Sequence, residues 1–249
     1  MRLPLLDSTL AAVAACAARI DALGWAEAGA GNLSLLLPPA ALARTIHGGE
    51  ALELGGPGLP RALPAGHLLA VSATGVTLRA LADDPARHLA LLGSDARGLF
   101  KVRGSAAPSS ELACHLAVHA RRARPGALVH AHTDFLIALS LLDALGAPGA
   151  LETALVDLMP ETQALLPGGV KRLALAPPGS AALGLATAAA MVDAGADAVI
   201  WPRHGALAAG DTLAQALGRL EILEKAARVW WLAHATGETP APLARRLGL

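Results

Sequence analysis

Short apolar runs of strand character alternate with Ala- and Leu-rich runs of helical period along most of this 249-residue chain. That alternation restricts the fold more than any single motif does, because strands and helices that take turns bury their apolar faces best as stacked layers. GNLSLLLP (31–38), HLLAVSATG (67–75), ALVHAH (127–132), VKRLALAPPG (170–179) and ADAVIWP (196–202) have strand character, with another strand near Leu99 to Val102. Between and after them, Ser8 to Leu23, PSSELACHLAVHARR (108–122), TDFLIALSLLDAL (133–145), SAALGLATAAAMVDAG (180–195) and TLAQALGRLEILEKAARVWWLAHAT (212–236) are helical. The first is expected to be capped at Asp7 or Ser8 and the second at Ser109 or Ser110. The Pro- and Gly-rich residues 38–66 form a long surface excursion in this reading. The expected fold is a layered α/β domain with a mixed sheet between helices.

No break in composition and no charge run divides the chain, so residues 1–249 are taken as a single domain. Twenty basic residues balance twenty acidic ones, which leaves no electrostatic footprint for nucleic acid or an anionic membrane. Hydrophobic residues make up 54% of the chain, but polar residues interrupt every run before the roughly 18 needed for a membrane span. The Ala-rich start is interrupted by Asp7 and Ser8 and is periodic, so it is expected to be helix rather than a leader. Two cysteines, Cys16 and Cys114, are too few for a disulfide framework, and a cytoplasmic location is expected.

ALVHAH raises the chemical question. Side chains two apart on a strand share a face, so His130 and His132 could share an ion, although such a pair also suits two satisfied core histidines. A catalytic metal needs a third protein ligand, and His204 in WPRHG, between Pro202 and Gly205 after a strand, could supply it. A rival cluster exists on one helix face, where Glu111, His115 and His119 stand four apart. There His119 is expected to face solvent and His115 to be structural or to support a site residue from behind, while Cys114 is a small buried hydrophobe. PSSE places two hydroxyls and free amide groups at a helix start, suited to an anion or simply to capping. GAGNLS (29–34) and SATG (72–75) are two more turns able to present backbone N–H groups.

Taken in order, GNLS, the strand ending in Thr74-Gly75, PSSE, HAH, and HG before a long helix bearing Glu221 and Glu224 resemble the class II aldolase/adducin family. The resemblance runs from about Leu23 to the final helix and is nearest to the branch that cleaves rhamnulose-type ketose 1-phosphates. It implies a three-layer α/β/α fold with a mixed, largely antiparallel sheet. It also implies zinc held by His130, His132 and His204, and Glu111 as the carboxylate that moves a proton. Asn32, Thr74, Gly75, Ser109 and Ser110 correspond to a pocket for the phosphate of dihydroxyacetone phosphate, although Gly29 replaces an asparagine of that pocket. Glu161 corresponds to an acid contributed by a neighbouring subunit of a homotetramer. The chain has no tyrosine to serve as that acid. The small-molecule partner implied is a sugar phosphate, cleaved to dihydroxyacetone phosphate and an aldehyde such as lactaldehyde through an enediolate. Sugar-phosphate 4-epimerases, dehydratases and non-catalytic adducin-like modules share the scaffold and remain open.

Overall fold

A computed structural model describes residues 5–41, 49–122, 124–240 and 243. Its strands are Asn32–Leu37 (β1), Glu50–Ala51 (β2), Leu68–Ser72 (β3), Leu89–Asp95 (β4), Gly98–Lys101 (β5), Gly126–Ala131 (β6), Val170–Arg172 (β7), Ala198–Trp201 (β8) and Gly205–Gly210 (β9). Among the described residues these form one sheet in the order β2-β5-β4-β3-β1-β6-β9-β8-β7. All neighbours run antiparallel except β7 and β8. The helices are Asp7–Ala22 (α1), Leu78–Asp83 (α2), Pro85–His88 (α3), Leu112–Arg122 (α4), Asp134–Ser140 (α5), Ala150–Val156 (α6), Pro160–Leu165 (α7), Ala181–Ala188 (α8) and Leu213–His234 (α9).

The period of two along each strand sorts the side chains into two cores. Leu33, Val129, Ile200 and Ala208 face a core shared with α1, α5, α6 and α9. Their neighbours Leu128, Val199 and Leu207 face α4 and α8, and Leu36, Leu69 and Leu92 meet Leu112 and Leu116 of α4 further along the same face. The result is three layers, α/β/α, around a mixed and largely antiparallel sheet. Gly184 lets α8 lie against α4, since a Cβ there would stand 2.7 Å from the Ala113 carbonyl oxygen. None of the helices among the described residues is long and apolar enough to cross a membrane.

Several local expectations change. The N-cap of α1 is Leu6, with Asp7 in the first turn, where its charge complements the helix dipole. Helix α4 begins at Leu112, so the serines of PSSE lie in the turn before it. GALAAG, left without an element between ADAVIWP and the final helix, is the buried strand β9 between β6 and β8. A run of Ala and Gly carries no β-branched or aromatic signature, and tertiary pairing decides it. The segment 38–66 is not simply a surface excursion, because Leu63 is buried and Leu52 and Leu54 pack against the α4 side of the sheet. Residues 42–48 of it lie outside the described residues.

Candidate metal centre

The central strands deliver the histidines. His130 lies on β6 with its side chain on the α4 face, His132 follows at the strand's end, and the β8–β9 hairpin returns His204 to the same place. The hairpin depends on its backbone: Arg203 has φ 65° and Gly205 φ 146°. A Cβ on Gly205 would stand 2.3 Å from the Ala131 carbonyl oxygen, so glycine is needed for the hairpin to close on β6. One nitrogen from each of the three histidines can be chosen so that all lie within 4.8 Å of one another. The Trp201 ring, 4.5 Å from that of His130 and 5.3 Å from that of His204, walls one side.

Partners on the far side of two rings decide which nitrogen is free. His130 Nδ1–H donates to the Ala206 carbonyl at 2.9 Å, leaving its Nε2 as a lone pair that is buried and has no hydrogen-bond partner. His132 Nδ1–H donates to Glu27 Oε1 at 2.8 Å, which likewise leaves Nε2 for the cluster. A lone buried acceptor is a modest fault by itself, but here the nitrogens of three imidazoles converge, and that is a donor set suited to a divalent transition metal. The site's residues therefore fit a metal. Burial first, then the neighbouring His204 and His132, holds the His130 pKa well below its ordinary value. For His204, burial also lowers the pKa, against the opposing pull of Glu111. Both imidazoles are thereby kept in the neutral form that binds metal.

Glu111, buried at the end of the PSSE turn, faces this cluster. Its Oε1 lies 3.2 Å from His204 Nε2 and its Oε2 lies 3.4 Å from His130 Nε2. Asn32 Nδ2–H donates to Oε2 at 2.8 Å, and the Ser109 hydroxyl accepts from the Glu111 amide at 3.2 Å. A cleft of about 210 Å³ opens over the cluster, lined by Gly29, Gly31, Asn32, Thr74, Gly75, Ser109, Ser110, Glu111, His132 and His204. The residues named come from five segments distant in sequence. Asn32 spends one N–H on Glu111 and has a second available to the cleft. Glu161 does not line it and is exposed in the first turn of α7. A larger hollow of about 860 Å³ lies elsewhere, but its Arg172 is already engaged by the carbonyls of Leu145 and Ser140. Size alone does not locate chemistry here.

The rival helix cluster does not form. His119 is fully buried rather than solvent-facing, with Nε2 2.9 Å from Ser34 Oγ, and His115 lies between Asn32 and Ser34. The reason is that α4 is covered by the sheet on one side and α8 on the other, so every residue from Leu112 to His119 is buried. Burial pushes the His115 pKa down to about 4 and that of His119 well below its ordinary 6.5. Both stay neutral in the fold while the unfolded chain takes up protons near 6.5. Stability is therefore expected to be full above pH 6.5 and to fall as pH drops toward about 4. A denaturant midpoint that stays flat between about pH 7 and pH 5 contradicts this.

Glu27, Ser34 and Trp201 join the site without having been singled out in the sequence. Ser34 is the last residue of GNLS, and Glu27 and Trp201 lie a few residues from GNLS and HG; nothing else in the sequence draws attention to them. Glu224 of the final helix is explained differently: it accepts from the amides of Phe135 and Leu136 at 2.8 and 3.0 Å, capping α5 just beyond His132.

Known proteins resemble this chain over most of its length. The family described as the class II aldolase and adducin N-terminal domain matches residues 11–231. A rhamnulose-1-phosphate aldolase from Listeria welshimeri is 29% identical over 221 residues, covering 85% of this chain and 78% of that protein. One from Escherichia coli is 30% identical over 241 residues, covering 89% and 84%. The crystal structure of a sugar-phosphate aldolase from Thermotoga maritima superposes with a TM-score of 0.76 at 29% identity, covering 94% of this chain and 97% of that one.

Proposed function

The chain belongs to the class II aldolase and adducin family and is an aldolase, and we propose that it cleaves a ketose 1-phosphate of the rhamnulose type to dihydroxyacetone phosphate and an aldehyde such as lactaldehyde. The observation that carries this reading is the convergence of three imidazoles and one buried carboxylate beneath a cleft rimmed by Gly- and Ser-containing turns. His130, His132 and His204 would hold a divalent cation, zinc being the one best suited to three imidazoles, and when bound it would supply the Lewis acidity that stabilises negative charge left on a carbon next to a carbonyl.

The chain's own groups do the rest. Glu111 returns a proton to the hydroxymethyl carbon of the donor fragment in cleavage and removes it in condensation. Its hydrogen bond from Asn32 keeps the carboxylate oriented for that transfer. The hydroxyls of Thr74, Ser109 and Ser110, the Gly75 amide and the remaining N–H of Asn32 bind the phosphate, with the turn into α4 contributing amide groups. The oxygen of the aldehyde fragment gives up its hydroxyl proton in cleavage and regains it in condensation, so a group must accept and return that proton, and the sequence has no tyrosine to do so. Glu161, outside its own chain's cleft, fills this role only from a second copy, so a homotetramer with active sites between subunits is part of the reading. A cytoplasmic location is part of the same proposal.

The test is incubation of the zinc-loaded protein with rhamnulose 1-phosphate while following dihydroxyacetone phosphate. Stoichiometric release that stops on chelation is expected. Bound metal without release of dihydroxyacetone phosphate redirects the site to an epimerase or dehydratase. A protein that takes up no metal is the interaction module instead.

A further inference from the structure

Behind Glu111 runs an unbranched chain of buried polar side chains: Glu111, Asn32, His115, Ser34 and His119. Successive contacts are 2.8, 2.5, 2.7 and 2.9 Å, and Ser34, His115 and His119 are fully inaccessible. Two periodicities make it possible. Asn32 and Ser34 stand two apart on one face of β1, a rise of about 6.6 Å, while His115 and His119 stand four apart on α4, a rise of about 6 Å. The two ladders match rung for rung.

Such a chain can be polarised in only two ways, because each neutral imidazole has one N–H and one lone pair. The carboxylate at one end accepts only, so Asn32 must turn Nδ2–H toward it and accept with Oδ1. His115 then donates from Nε2 and accepts at Nδ1 from the Ser34 hydroxyl, which in turn accepts from His119 Nε2–H. The far end agrees. His119 Nδ1 is buried with no partner, and in this polarity it is a bare lone pair. The opposite polarity would strand a buried N–H there and would set Asn32 Oδ1 against a carboxylate oxygen. Both faults cost more than an unused lone pair.

We propose that His119, Ser34 and His115 are positioning residues that lock the Asn32 amide with its N–H face toward Glu111 and thereby hold the carboxylate in place as the base. That Glu111 is the base rests on the function proposed above; the polarity of the chain of hydrogen bonds does not. Burial keeps both imidazoles neutral and so preserves the single polarity.

Long-range proton–nitrogen NMR of the full-length, zinc-loaded protein labelled with 15N-histidine reads the tautomers directly. His115 and His119 are both expected to carry the proton on Nε2 with Nδ1 bare, and an Nδ1–H tautomer at either overturns the proposal. Kinetics supply the second arm. Ser34→Ala should lower kcat by about 10- to 100-fold, the range typical when a partner behind a functional group is lost, with KM and metal content unchanged. Ser34→Thr, which keeps the hydroxyl, should recover most of the rate. Ser34→Ala that folds and keeps kcat within about twofold of wild type also overturns the proposal. If Ser34→Ala does not fold, His119→Gln, whose amide can donate to Ser34, should retain the kcat that His119→Phe loses; equal rates in those two overturn it. A wild-type protein that cleaves no ketose 1-phosphate defeats the proposed function, and the tautomers still decide the positioning role.

Discussion

Replacing Glu111 with glutamine is expected to lower kcat for ketose 1-phosphate cleavage by about two to four orders of magnitude, the contribution typical of a positioned general base. The substitution is nearly isosteric. A glutamine oxygen can still accept from Asn32 Nδ2, which donates to the carboxylate at 2.8 Å in the wild-type chain, so the side chain should keep its place while losing its ability to exchange a proton. The three histidines are untouched and metal content should remain at the wild-type level. Steady-state kinetics paired with metal analysis checks both halves. Unchanged kcat removes Glu111 from the chemistry, and loss of metal with the rate would recast it as a ligand.

His132→Ala should reduce bound metal from about one ion per chain to none at ordinary free-metal concentrations, and activity should vanish with it. On the proposed assignment three imidazoles hold the ion, and removing His132 leaves only two, His130 and His204, too few to keep it at such concentrations. His119→Ala is the contrasting variant. It should retain metal but unfold more easily, by about 1–3 kcal/mol, because it leaves the buried Ser34 hydroxyl without its donor. Metal analysis and thermal unfolding of the two proteins separate these outcomes. Metal lost from His119→Ala and kept by His132→Ala would move the site to the cluster of Glu111, His115 and His119.

Much of this was legible in the sequence because strand and turn geometry is local. His130 and His132 two apart, His204 before a glycine, and Glu111 after two serines each carry a short-range signal, and the fold brings them together as their order suggests. What stayed hidden depends on long-range packing. GALAAG looks like loop until β6 and β8 close on either side of it. His119 looks like a polar-face residue because its helix ends in arginines, and only the burial of α4 between sheet and α8 reverses that. Glu27 sits 105 residues from the histidine it orients, a separation that no motif spans. The pairing of Asn32 and Ser34 with His115 and His119 needs both a strand face and a helix face to be placed before it can be read.

The most direct measurement omits the aldehyde. Zinc-loaded protein is given dihydroxyacetone phosphate alone in deuterium oxide, and loss of one hydroxymethyl proton signal is followed by NMR. The wild-type protein should exchange a single, stereochemically defined hydrogen at that carbon, and exchange should stop on chelation and in Glu111→Gln. Failure of the zinc-loaded wild type to exchange, or exchange that survives in Glu111→Gln, would contradict the assignment of the three histidines and Glu111 as one site for activating the donor.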